Sequence, residues 1–142
     1  MKIKKSVLDV IAGAYPTVPP EEGGILGMYK NVVCAYSHDK GYDNNDFAVY
    51  EPNINKLNEV LSLWSQKSID FGGIVHSHLP GQNTLSKADI DYIASVFASG
   101  TTSERLYFPV FLPDTHELIP YLAINVNDKI NIHKDTLVVI ED

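Results

Sequence analysis

Phe71-Gly72-Gly73-Ile74-Val75-His76-Ser77-His78 is a largely apolar run that ends in two histidines. Seven residues, Leu79 to Leu85, separate it from Ser86-Lys87-Ala88-Asp89. The β-branched centre Ile74-Val75 predicts a central strand that carries His76 at its end. Residues i and i+2 of a strand face the same way, so both histidines can reach one ion if the strand continues through them. Pro80-Gly81 punctuates a turn-rich loop. Ser86 to Ala98 then reads as a helix with Ile90, Ile93, Ala94 and Phe97 inward. Asp89 falls in its first turn, and Ser86, one turn earlier, shares its face. Seven loop residues are enough to fold that turn back over the strand end. Zinc takes imidazole nitrogen and carboxylate oxygen, and a catalytic site uses three protein ligands with a fourth position for water. A plainer reading stands beside this one. Ser86-Lys87-Ala88-Asp89 also resembles a capping box with Asp in place of Glu or Gln, and two histidines at a strand end can be ordinary surface residues. Capping accounts for only half of the pattern, and the two readings can both hold.

Outward from this stretch, Lys2 to Tyr15 has apolar residues near helical spacing, with Ser6 as a possible cap and Thr17-Val18-Pro19-Pro20 as its end. Gly23 to Lys30 and Val32 to Tyr36 read as two strands joined near Lys30-Asn31. Ser37 to Asp46 reads as a polar loop, and Phe47 to Tyr50 as a short strand. Pro52-Asn53 opens a helix whose stripe is Ile54, Leu57, Val60, Leu61 and Trp64. Strands are expected at Arg105 to Leu112, Leu118 to Asn125, Ile130 to Ile132 and Thr136 to Ile140. Helices on a mixed sheet make this an α/β or α+β chain, and 142 residues suit a single domain over 1–142.

The chain is acidic, with 18 acidic against 11 basic residues and a net charge of −7. That is a poor match for nucleic acid or anionic membrane, and neither is expected as a partner. Cys34 is the only cysteine, which fits a reducing compartment, and Val7 to Ala14 is too short and too weakly apolar for a signal peptide. The expectation is a cytoplasmic protein.

His76-Ser77-His78, the seven-residue gap, Ser86 and Asp89 resemble the JAMM motif of the JAB/MPN metalloprotease family. That motif includes an upstream glutamate before a glycine-rich strand, and Pro19-Pro20-Glu21-Glu22-Gly23-Gly24-Ile25-Leu26-Gly27 is similar to it. The family glutamate stands three residues before the glycine that opens the strand. Taking Gly24 as that glycine selects Glu21, and the double glycine keeps Glu22 as the rival. The likeness covers roughly residues 1 to 125 in the same order of elements. One position departs: Leu79 follows His78 where the family usually has proline, with Pro80 behind it.

The resemblance implies a cytidine-deaminase-like fold with a mixed sheet flanked by helices. It also implies Zn²⁺ on His76, His78 and Asp89, Glu21 as general base, and Ser86 as donor to the oxyanion. The implied reaction is peptide or isopeptide hydrolysis at the C-terminal tail of a ubiquitin-like or sulfur-carrier protein. Two alternatives remain at this level: a non-catalytic scaffold of the same fold that docks a protein, and a zinc amidohydrolase acting on a non-protein amide. Cys34 reads as a structural residue in an apolar strand, Asp43 to Asp46 as a solvated turn rather than a calcium loop, and Trp64 as core. Tyr107, Phe108, Phe111 and Tyr121 read as core aromatics, with docking of a substrate strand at that edge as the alternative.

Overall fold

The computed structural model describes residues 1–17, 21–41, 50, 52–99, 101 and 103–142. Among them are ten strands and three helices: β1 (Lys2–Lys4), α1 (Lys5–Ala14), β2 (Gly23–Tyr29), β3 (Val32–Asp39), α2 (Ile54–Ser65), β4 (Asp70–Ser77), α3 (Lys87–Ala98), β5 (Arg105–Tyr107), β6 (Val110–Leu112), β7 (Glu117–Ile119), β8 (Tyr121–Val126), β9 (Lys129–Lys134) and β10 (Val138–Ile140). They form one mixed sheet in the order β10-β1-β3-β2-β4-β5-β8-β9, with β6 pairing β4 and β7. The architecture is mixed α+β, as expected. No helix among the described residues is long and apolar enough to cross a membrane.

The centre of the sheet is buried on both faces. Side chains alternate along β4, so Val75 joins a core with Leu26, Val33, Phe111 and the α1 residues Val7 and Ile11. Ile74 joins the opposite core with Ile25, Leu57 from α2, and Ile93, Val96 and Phe97 from α3. Burial on both sides is why β4 is apolar at successive positions rather than at alternate ones. Lys30 and Asn31 both have positive φ (51° and 65°), the backbone of a tight two-residue hairpin between β2 and β3.

Several local readings yield to tertiary pairing. Lys2–Lys4 is a strand, not helix: it lies parallel to both β3 and β10, with Ile3 fully buried between exposed Lys2 and half-buried Lys4. Ser6 is not the cap of α1. It lies within the first turn, and its N–H and hydroxyl donate to the carboxylate of Asp142. Prolines divide two expected strands. Pro109 separates β5 from β6 and Pro120 separates β7 from β8, since proline lacks the N–H that a ladder needs. Strand β3 runs on to Asp39, so Ser37, His38 and Asp39 belong to the sheet. Ile54 is 45 % exposed, so the buried side of α2 begins at Leu57. Trp64 is half-buried against the core, and Cys34 is half-buried in β3. Phe108 and Phe111 are fully buried, Tyr121 is buried and Tyr107 half-buried, as core packing requires. The solvated turn expected at Asp43–Asp46, and Phe47 to Val49 of the short strand, lie outside the described residues.

Gly73 is where β4 meets β5. Its φ is +135°, and a Cβ there would stand 1.7 Å from the carbonyl oxygen of Tyr107. Gly73→Ala is therefore expected to lose about 3 kcal/mol or more of unfolding free energy, through backbone strain and a displaced strand. Urea denaturation should show a lowered midpoint, whereas Gly13→Ala, where a Cβ meets nothing within 4 Å, should not.

Candidate metal centre

Strand β4 ends in the site. Its last residues are pinned by hydrogen bonds from both sides. The N–H groups of His76 and His78 donate to the carbonyls of Pro109 (3.2 Å) and Phe111 (3.0 Å), and that of Ser77 donates to the carbonyl of Glu22 (2.7 Å). Both histidines point to the α2/α3 side of the sheet, and Ser77 points away. Helix α3 supplies the third group. Ser86 is its N-cap and forms a full capping box with Asp89: the Ser86 hydroxyl accepts from Asp89 N–H (3.1 Å), and Asp89 Oδ2 accepts from Ser86 N–H (2.8 Å). The capping and metal readings of this segment thus hold together.

The buried side of α3 is led by Asp89 and continues through Ile93, Val96 and Phe97, with Tyr92 half-buried. Of the expected stripe, Ile93 and Phe97 are buried, whereas Ile90 is 48 % exposed and Ala94 is exposed, their places taken by Asp89 and Val96. An apolar count favours Ile90 over a carboxylate; the structure buries the carboxylate because two imidazoles wait for it.

His76 Nε2, His78 Nε2 and the Asp89 carboxylate converge. The two nitrogens are 2.7 Å apart, His78 Nε2 is 2.9 Å from Asp89 Oδ2, and His76 Nε2 is 3.1 Å from Asp89 Oδ1. All three residues are buried, His76 completely. Burial disfavours the charge on Asp89, but hydrogen bonds from His76 and His78, and the Ser86 N–H, outweigh it and hold its carboxyl far below the usual range. Burial pushes the His76 imidazole down. Burial works the same way on His78, but the hydrogen bond and charge of Asp89 override it and raise that ring. Three buried donor atoms meeting at one point, within 4.8 Å of one another, can bind a metal ion.

The back of each ring is also engaged. His78 Nδ1 lies 2.7 Å from the carbonyl oxygen of Gln82, and His76 Nδ1 lies 2.9 Å from the hydroxyl of Tyr92. A carbonyl only accepts, so Nδ1 of His78 carries a proton, which leaves Nε2 as the atom that would offer a lone pair to an ion in place of its hydrogen bond to Asp89. Tyr50 lies nearly parallel to the His76 ring (12°, centroids 6.0 Å apart). Its own hydroxyl donates to buried Asp39 (2.8 Å), which also accepts from the N–H groups of Asn53 and Gly41. Gly23 makes room for Tyr50, since a Cβ there would stand 2.4 Å from that ring.

The β2–β4 register pairs Gly23 with His76. One residue further, Glu22 faces Ser77: its N–H donates to Ser77 Oγ (3.0 Å), and Ser77 Oγ donates to its carbonyl (3.2 Å). The side chain of Glu22 turns to the α1 side, where it meets His38 Nε2 (2.7 Å); His38 Nδ1 meets Tyr36, which bonds Tyr15. By the same alternation Glu21 falls on the face of His76 and His78. It is buried, and its charge acts on both His78 and Tyr92.

The overall shape is similar to two solved structures. A protein from Desulfitobacterium hafniense, solved in solution, superposes with a TM-score of 0.68 at 12 % identity, over 99 % of this chain and 93 % of that one. A JAB1/MPN domain protein from Archaeoglobus fulgidus, solved by crystallography, gives 0.54 at 17 % identity, over 99 % and 100 %. The fold is MPN-like. No family model and no curated protein matches the sequence, so the likeness is one of fold. On this MPN-like fold the structure brings together His76, His78 and Asp89, sets Ser86 at the head of the helix that carries Asp89, and puts Glu21 on the same side.

Sequence reasoning missed Tyr92, Tyr50 and Asp39. Tyr92 had a signal: it stands three residues after Asp89, on the same helical face. The others meet the site across strands and leave no local trace. One divalent transition-metal ion per chain is expected to bind metal-free protein and raise its melting temperature. Asp89→Ala and His78→Ala should each abolish that rise, as followed by calorimetry with and without added metal.

Proposed function

We propose that this chain is a zinc-dependent hydrolase of the JAMM type that cuts a peptide or isopeptide bond. The convergence of two imidazole Nε2 atoms and a carboxylate at the buried end of β4, with buried Glu21 just before β2, carries the reading. The donor set fits zinc: two nitrogens and one carboxylate, with His78 fixed in the ligating tautomer by the Gln82 carbonyl. When bound, zinc supplies a Lewis acid and brings the pKa of water down towards ~7.

His76, His78 and Asp89 hold the ion. Glu21 is the general base: its carboxylate takes the proton of the attacking water and delivers it to the leaving amine. Ser86 serves twice. Its oxygen accepts Asp89 N–H, which leaves its own O–H to donate to the developing oxyanion. The proposed substrate is the C-terminal tail of a ubiquitin-like or sulfur-carrier protein joined to an amine, in the cytoplasm. The likeness of the motif to JAMM proteases supports that class. A non-protein amide is the alternative substrate, and a metal-free docking scaffold is the alternative role.

Kinetics of the zinc-loaded protein on ubiquitin-like conjugates test the reading. Glu21→Ala should keep its zinc and lose about 10²- to 10⁴-fold in kcat. Glu22→Ala, altered on the opposite side of β2, should stay within about tenfold of the wild type. The reverse pattern would move the base to Glu22. A wild type that takes up no zinc would favour the scaffold. Ser86→Ala should lower kcat by about 10²-fold or more while costing about 1 kcal/mol of stability through the lost cap.

A further inference from the structure

The two histidines are held from behind by different kinds of partner. His78 Nδ1 faces a backbone carbonyl, which fixes its proton whatever else the site contains. His76 Nδ1 faces the Tyr92 hydroxyl at 2.9 Å, and a hydroxyl can donate or accept. Ligation removes that freedom. A neutral imidazole that gives Nε2 to a cation carries its proton on Nδ1, and on a fully buried ring Nδ1–H needs an acceptor from the protein. Tyr92 oxygen is the group in place.

We propose that Tyr92 is a positioning residue of the metal centre: its hydroxyl oxygen accepts Nδ1–H of His76 and holds that ring in the tautomer and orientation that present Nε2. This inference rests on the metal-site reading above. Packing fixes the contact independently of the hydrogen bond. The Tyr92 ring meets His76 edge-on (84°, centroids 5.6 Å apart) and is itself seated edge-on against fully buried Phe108 (5.9 Å). Tyr50 closes another side of the imidazole. The chain places Tyr92 one helical turn beyond Asp89. A single turn of α3 therefore delivers both a ligand and the support of a second ligand, and the two move together if the helix shifts. Because His78 is supported by main chain, Tyr92 is the point at which a side-chain change can loosen the histidine pair without touching a ligand.

Tyr92→Phe keeps the ring and its packing and removes only the oxygen. Competition with a chromogenic chelator should show zinc affinity about 10- to 100-fold weaker than the wild type, the range for a lost partner of a ligating histidine. Tyr36→Phe, on the other side of the sheet, should bind zinc as the wild type does. Imidazole ¹⁵N spectra of zinc-loaded wild type should show a His76 Nδ1–H protected from exchange, and the signal should lose its protection in Tyr92→Phe. A folded Tyr92→Phe with affinity within about threefold of the wild type overturns the inference and leaves the metal site standing. A wild type that binds no zinc overturns the site reading and this inference with it. If the variant does not fold, the wild-type spectrum decides: an unprotected His76 Nδ1–H overturns the proposal.

Discussion

The pairing of Gly23 with His76 is the constraint on which the site depends. It sets which side of β2 faces the histidines, and strand alternation does the rest. A slip of one residue would exchange Glu21 for Glu22 and turn every side chain of β2 to the other core. Three features resist it. Ser77 holds Glu22 by its hydroxyl as well as through its N–H, so pairing continues past the end of the regular strand. Gly23 admits the Tyr50 ring, which larger residues would not. Glu22 finds a partner in His38 on the far side, where it belongs only in this register.

The order of elements follows from the same requirement. Strand β4 lies between β2 on one side and β5 and β6 on the other, so the peptide groups of its last residues are satisfied by both neighbours. A strand end held this way can carry two buried imidazoles without loose backbone. Helix α3 adds Asp89 through a cap that uses the same carboxylate: Oδ2 accepts the Ser86 N–H and faces His78. Burying a carboxylate and two histidines costs stability unless each is paired. Such groups at one point, rather than the apolar side chains around them, mark a group able to hold a metal ion.

Much of this was legible in the sequence. The two-residue spacing of the histidines survives as a shared face because β4 runs straight into them. The capping pattern Ser86–Asp89 gave the start of α3 correctly. What was not legible depends on contacts distant in the chain. Lys2–Lys4 reads locally as the beginning of a helix, yet parallel neighbours on both sides make it a strand. Ile90 outranks Asp89 in any apolar count, and only the histidines reverse that. His38 reads as a loop residue until β3 is seen to extend to Asp39. Tyr50 and Asp39 act on His76 through a packing arrangement that no periodicity encodes.

The proposed function stands on two imidazole nitrogens and one carboxylate forming a single metal centre. X-ray absorption at the zinc edge of the zinc-loaded protein tests it most directly. The account requires a shell of about four nitrogen and oxygen atoms near 2.0–2.1 Å, with the outer scattering of two imidazoles and no sulfur. A sulfur at about 2.3 Å would place Cys34 on the metal, and an all-oxygen shell would place the ion among surface carboxylates. Either result would contradict the account.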